Sequence, residues 1–199
     1  MRSPPPFYDW SHMPYIFPTN VTGINLRKET LASRPDVFEA TDVWVAEVRA
    51  GASLSFLREN QNLRSLRIQD AEQLTGLEQL TQIDTLYSLA RLRYMNIAWI
   101  DGLRMEDYAA LSRNLPHAVG SCLQPCYTYN FPTFCKRCRQ RTVFLTGARP
   151  RSRREICPSC GREHLDRHVQ AWNAAGGRPF VTPKSASEVD IEQLAGADG

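Results

Sequence analysis

Leu63-Arg64-Ser65-Leu66-Arg67-Ile68 and Leu92-Arg93-Tyr94-Met95-Asn96-Ile97, 29 residues apart, decide how the chain is read. Both fit the pattern LxxLxI, with Met95 in place of the second leucine in the later copy. Apolar residues two and three apart match neither the helical period nor simple strand alternation. The pattern predicts a short strand in each copy. Asp42-Val43-Trp44-Val45 reads as a strand before them, and Leu115-Pro116-His117-Ala118-Val119 as a degenerate strand after them. Strands are thus expected to start near 43, 66, 95 and 118, at intervals of 23, 29 and 23. Between the second and third lie Leu74, Leu77, Leu80, Ile83, Leu86 and Leu89, each three residues from the last. They read as the returning side of a coil, directed into a shared core.

Over residues 40–122 these motifs resemble the leucine-rich repeat family. The asparagine that usually follows the strand in that family is replaced by Gln69-Asp70 and Ala98-Trp99. The competing reading is a small α/β domain with leucine-rich helices. The resemblance implies an α/β fold: a short, irregular leucine-rich-repeat solenoid, then a small zinc-ribbon β module and a C-terminal helix. Such units bury their apolar face only by stacking, and the two ends need caps. The resemblance also implies a strand-lined recognition face. It would carry the residues between core positions: Trp44, Arg64, Ser65, Arg67, Gln69, Arg93, Tyr94, Asn96 and Ala98. Trp, Tyr and Arg are enriched where protein partners bind most strongly.

Four segments are expected. Residues 1–39 form an N-terminal arm or cap, its start rich in proline and aromatics (Pro4, Pro5, Pro6, Phe7, Tyr8, Trp10). Residues 40–122 are the leucine-rich part. Residues 123–181 are a zinc ribbon with a following helix. Leu165, Val169 and Trp172 at spacings of four and three, closed by Gly176-Gly177, place that helix over 161–176. Residues 182–199 read as a weakly ordered tail.

Cys135-Lys-Arg-Cys138 and Cys157-Pro-Ser-Cys160 are two CxxC pairs separated by 18 residues. Two such pairs in a reduced protein read as metal ligands rather than disulfides. A thioredoxin-like redox pair would need a βαβ context, which the flanking sequence does not offer. Between the pairs, Thr142-Val143-Phe144-Leu145 reads as a strand, and Gly147 and Pro150 as turn residues. This is the hairpin layout of a zinc ribbon. Four thiolates fill a tetrahedral shell and leave no open position, so one structural Zn²⁺ is expected. Cys122 and Cys126 could form a second site with His117, or with His164 and His168 at i, i+4. Buried free thiols and a solvated histidine face are the preferred reading.

The net charge of +3 conceals an asymmetry. Cys135 to Pro179 holds eleven Lys and Arg against three Asp and Glu, a balance of +8, and the rest of the chain −5. Four thiolates on a zinc ion would lower the first figure by about 2. Arg149, Arg151, Arg153 and Arg154 cluster at the expected hairpin. They could meet phosphates, with Phe144 or Trp172 stacking on bases, or form a solvated loop that offsets the thiolate charge. No GxSxG, P-loop, dinucleotide or HExxH pattern occurs, so no catalytic residue is nominated, no small-molecule substrate is evident and no enzyme is expected. No apolar run reaches the ~20 residues that span a bilayer, and Met1–Asp9 lacks a secretory apolar region. The expected location is cytoplasmic. The expected function is a non-enzymatic protein-binding module: an adaptor, an inhibitor or an immunity-type protein. The alternative is nucleic-acid binding through the basic ribbon.

Overall fold

Strand β3 (Ser65–Ile68) and strand β4 (Tyr94–Ile97) lie side by side and parallel, with Leu66 opposite Met95 and Ile68 opposite Ile97. The two LxxLxI copies are therefore in register, motif position against motif position. A computed structural model describes residues 22–25, 34–47, 55–68, 84–97, 103–128, 132–147 and 155–189. Within it, β1 (Thr22–Asn25) and β2 (Asp42–Glu47) extend the sheet to four parallel strands in the order β1-β2-β3-β4. A parallel bridge from Tyr94 to Val119 adds a one-residue fifth position at the far edge. Strand β1 lies inside the stretch read from sequence as an arm. Its single buried apolar side chain, Ile24, gives too little pattern to detect.

Alternation along the strands builds the core. Val43, Leu66 and Met95 form one buried row, and Ile24, Val45, Ile68 and Ile97 the next. The connections return across this apolar side as 3₁₀ turns (Pro35–Phe38, Ser55–Glu59), a short helix α1 (Asp84–Tyr87) and a longer one, α2 (Met105–Asn114). They contribute Val37, Leu57, Leu86, Leu89, Ala109 and Leu111 to the same core. Leu86 and Leu89 thus point inward as expected, whereas Leu74, Leu77, Leu80 and Ile83 lie outside the described residues. The buried Asn60 holds two connections together, donating to the carbonyls of Val37 and Ala40 at 2.8 and 2.7 Å.

A second, antiparallel sheet has the order β5-β6-β7, from Cys126–Tyr127, Val143–Leu145 and Glu155–Ile156. Helix α3 (Arg162–Ala174) follows. Leu165 and Val169 pack under this sheet with Cys126, Val143 and Leu145. One turn further on, Trp172 is fully buried in the core of the parallel sheet. One face of α3 therefore serves two cores. The helix ends at Gly176, whose φ of +76° closes a C-terminal motif of the kind glycine favours.

Beyond that turn, Arg178 reaches back across the edge of the parallel sheet. Its guanidinium donates to the carbonyls of Pro116, Ala118 and Leu123 at 3.2, 3.0 and 3.2 Å. Its amide donates to Ser112 Oγ at 3.0 Å. The architecture is mixed α/β, with a four-stranded parallel sheet joined through α3 to a small antiparallel one. No helix among the described residues is long and apolar enough to cross a membrane.

Candidate metal centre

The chain before β6 reverses tightly at Cys135-Lys136-Arg137-Cys138. Arg139 N–H donates to Cys135 O at 2.9 Å, and Cys135 N–H to Gln140 O at 2.8 Å. The chain after β7 makes the same reversal at Cys157-Pro158-Ser159-Cys160, with Gly161 N–H donating to Cys157 O at 2.8 Å. The two reversals differ in how they leave the turn. Arg139 takes a left-handed φ of 63°, a region that usually favours glycine. Gly161 has φ −112°, and it is glycine for space instead: a Cβ there would lie 2.7 Å from Ile156 Cγ2. The second reversal runs directly into α3, since Leu165 N–H donates to Gly161 O. The thirteen-residue helix thus begins directly after the second cysteine pair.

The reactive sulfurs of Cys135, Cys138, Cys157 and Cys160 all lie within 4.8 Å of one another. All four cysteines are free of disulfides. Cys138 Sγ and Cys157 Sγ, one from each pair, are 3.4 Å apart. Sulfurs at about 2.3 Å from a tetrahedral ion would stand about 3.8 Å apart, so the cluster has the dimensions of a four-thiolate site. Its electrostatics agree. Backbone amides of Cys138 and Arg137 pull the Cys135 thiol down to about 6. The Cys160 thiol is pushed up to about 12, first by Cys138, then by burial and its other sulfur neighbours. Burial raises that of Cys157. Four sulfurs this close cannot all ionise alone, and a divalent cation removes that obstacle.

The two remaining cysteines are separated. Cys122 lies in the core of the parallel sheet and Cys126 in that of the antiparallel one. Burial pushes each thiol up to about 12. Among the described residues only the four-cysteine cluster gathers metal-ligating groups. His164 is exposed, as expected of a solvated face. His168 is not: it is buried, its Nε2 3.0 Å from Pro125 O. Positions 165, 168, 169 and 172 form one i, i+3, i+4, i+7 stripe, so His168 belongs to the buried face.

On the side of the parallel sheet away from the core, Trp44, Arg67 and Asn96 form one in-register row across β2, β3 and β4. The Arg67 guanidinium sits 5.8 Å from the centre of the Tyr94 ring. Desolvation brings its pKa down to about 10. Trp44 Nε1–H is buried and has no acceptor among the described residues. Asn96 accepts from Ser121 Oγ at 2.8 Å, which ties the row to the sheet edge. Arg64 and Arg93 are exposed just before their strands and do not belong to this row. Tyr94 is mostly buried, and Gln69 lies outside the described residues. So do Arg149, Arg151, Arg153 and Arg154. Phe144 is half-buried and stacks on Tyr127, and Trp172 is buried, so neither ring lies open to a base.

The chain matches no protein-family model, no curated protein and no solved structure.

Proposed function

We propose that this chain is a non-enzymatic protein-binding module, a short leucine-rich-repeat-like solenoid closed at its C-terminal end by a structural zinc ribbon. The observation that carries the reading is the row Trp44–Arg67–Asn96, presented in register by three adjacent parallel strands on the side away from the core. Sequential parallel strands, each followed by a 3₁₀ turn or a helix on the apolar side, support the solenoid. The Trp44 indole N–H, without an acceptor among the described residues, gives the row a directional donor that a partner can satisfy.

The donor set supports zinc as the ion. Four cysteine thiolates are soft ligands, and their closed shell would staple the two chain reversals rather than activate water. The staple would hold β6, β7 and the start of α3 together. From there α3 carries Trp172, and the turn after it Arg178, onto the parallel sheet.

The test is affinity purification from the native host, with and without nuclease, using wild type, Arg67→Glu, Trp44→Ala and Arg58→Glu. Arg58 lies in a connection, away from the row. A specific protein that survives nuclease, is retained by Arg58→Glu and is lost from both row variants supports the proposal. An unchanged bound set across all four proteins, each folded by circular dichroism, refutes this face.

A further inference from the structure

The first chain reversal carries a surface that neither the parallel sheet nor a metal ion accounts for. Residues 132–147 contain Lys136, Arg137, Arg139 and Arg141 and no Asp or Glu. Lys136, Arg137 and Arg139 are exposed. Arg162 and Arg167 on α3, by contrast, are tied to Asp166 and Glu163 at 3.2 and 3.0 Å. A filled four-thiolate site would bring two negative charges, and the four cations of this segment still exceed them.

Phe134 immediately precedes this turn. It is 58% exposed and, with Val181, one of two large apolar side chains so exposed among the described residues. An antiparallel bridge pairs Phe134 with Arg141, and the Cys135–Gln140 hydrogen bond closes the loop between them. The ring is therefore fixed at the base of a tight loop that presents three cations. Arg139 adds an independent sign. It keeps a left-handed backbone that strains an L-residue but not glycine. That position presents a guanidinium at the price of local strain, and strained backbone concentrates where binding occurs.

We infer that Phe134, Lys136, Arg137 and Arg139 form a binding surface for single-stranded nucleic acid. The cations contact successive phosphates, and the Phe134 ring stacks on an unpaired base. An acidic peptide would satisfy the cations but offers the ring a flat face only where it holds an aromatic residue, whereas every nucleotide carries one. A duplex keeps its bases stacked inside. The combination of an open aromatic ring and a basic loop fits a strand whose bases are free. This surface is independent of the row on the parallel sheet, and either can fail without the other.

The test is fluorescence anisotropy of a labelled 15-nucleotide uridine oligomer with the full-length protein, titrated with salt from about 50 to 200 mM. Three phosphate contacts give a slope of log affinity against log salt of about −2 for a single strand. Phe134→Ala is expected to weaken binding about five- to 150-fold, since one base stacked on an aromatic ring is worth ~1–3 kcal/mol. Combined Lys136→Glu, Arg137→Glu and Arg139→Glu should abolish it. A milder Arg139→Gly, which relieves the backbone, should weaken binding while raising stability. Unchanged sulfur-to-metal stoichiometry and circular dichroism certify each variant as folded. The inference is overturned if wild type does not bind at 50 mM salt or if the triple reversal binds as well as wild type. It is equally overturned if a polyglutamate peptide competes at equal charge, or if binding depends only on Arg149, Arg151, Arg153 and Arg154.

Discussion

Replacing Gly120 by alanine puts a methyl carbon 1.7 Å from the carbonyl oxygen of Met95 and 2.7 Å from its carbonyl carbon. Both atoms belong to the backbone of β4, so no side-chain rotation relieves the clash. Gly120 has φ 153° and ψ 164°, a combination open essentially to glycine alone. At the residue before it, Val119 N–H donates to Arg93 O and Met95 N–H to Val119 O, both at 2.9 Å. Moving either segment breaks these two bonds at the sheet edge. Backbone strain of about 1–3 kcal/mol and two lost hydrogen bonds of about 1 kcal/mol each add up to roughly 3–5 kcal/mol. With an m-value of about 2 kcal/mol per molar urea, the unfolding midpoint should fall by roughly 1.5–2.5 M. Gly23→Ala is the matched control, because its added Cβ meets nothing within 4 Å. It should change stability by no more than about 1 kcal/mol. Urea titration followed by far-UV circular dichroism reads both variants. A Gly120→Ala midpoint within 0.5 M of wild type would refute the close approach of residues 95 and 120.

Metal analysis of pure protein should find close to one zinc per chain. Chelation should then expose the amides of Arg139 and Gly161 to hydrogen exchange and leave β2, β3 and β4 protected; zinc near zero, or undiminished protection after chelation, counts against the staple. The buried thiols give a pH signature. The folded pKa values of Cys122 and Cys126 are raised from 9.0 to about 12, so the unfolded chain releases their protons first. Their contribution is complete below about pH 9 and is lost as pH climbs toward 12. The slope is about 1.4 kcal/mol per pH unit for each thiol. Cys122→Ala with Cys126→Ala should flatten the stability profile between pH 9 and 11, and an identical slope in the double variant would show that these thiols are not buried.

The strands that the sequence made legible are those with several inward positions. LxxLxI places three apolar residues at fixed offsets, and β3 and β4 fall where that spacing puts them. Strand β1 buries one side chain and carries Gly23 and Asn25, so it has no period to read. The four cysteines converge as their spacing suggests, because each CxxC pair closes its own turn and only one distance between the pairs remains to be met. Motif offset alone puts Arg64 and Arg93 on the outer face, but each precedes its strand. Strand alternation reserves that face for Trp44, Arg67 and Asn96. Gly120 and Arg178 show where local reading stops. Each is defined by backbone atoms distant in sequence, Met95 in one case and Pro116, Ala118 and Leu123 in the other.

That last dependence has a temporal side. Arg178 follows Leu123, one of the carbonyls it satisfies, by 55 residues. At about 5–20 residues per second, a ribosome needs roughly three to ten seconds to supply it. During that interval the nascent parallel sheet shows an open margin of backbone carbonyls and an empty place in its core where Trp172 will dock. Cys160 emerges before Trp172, so metal capture by the four cysteines, as proposed, would fall within the same interval. Under the proposed zinc staple, metal supply would become a condition for sealing the sheet, and a cell short of zinc would accumulate chains whose first half is folded but whose margin is still adhesive.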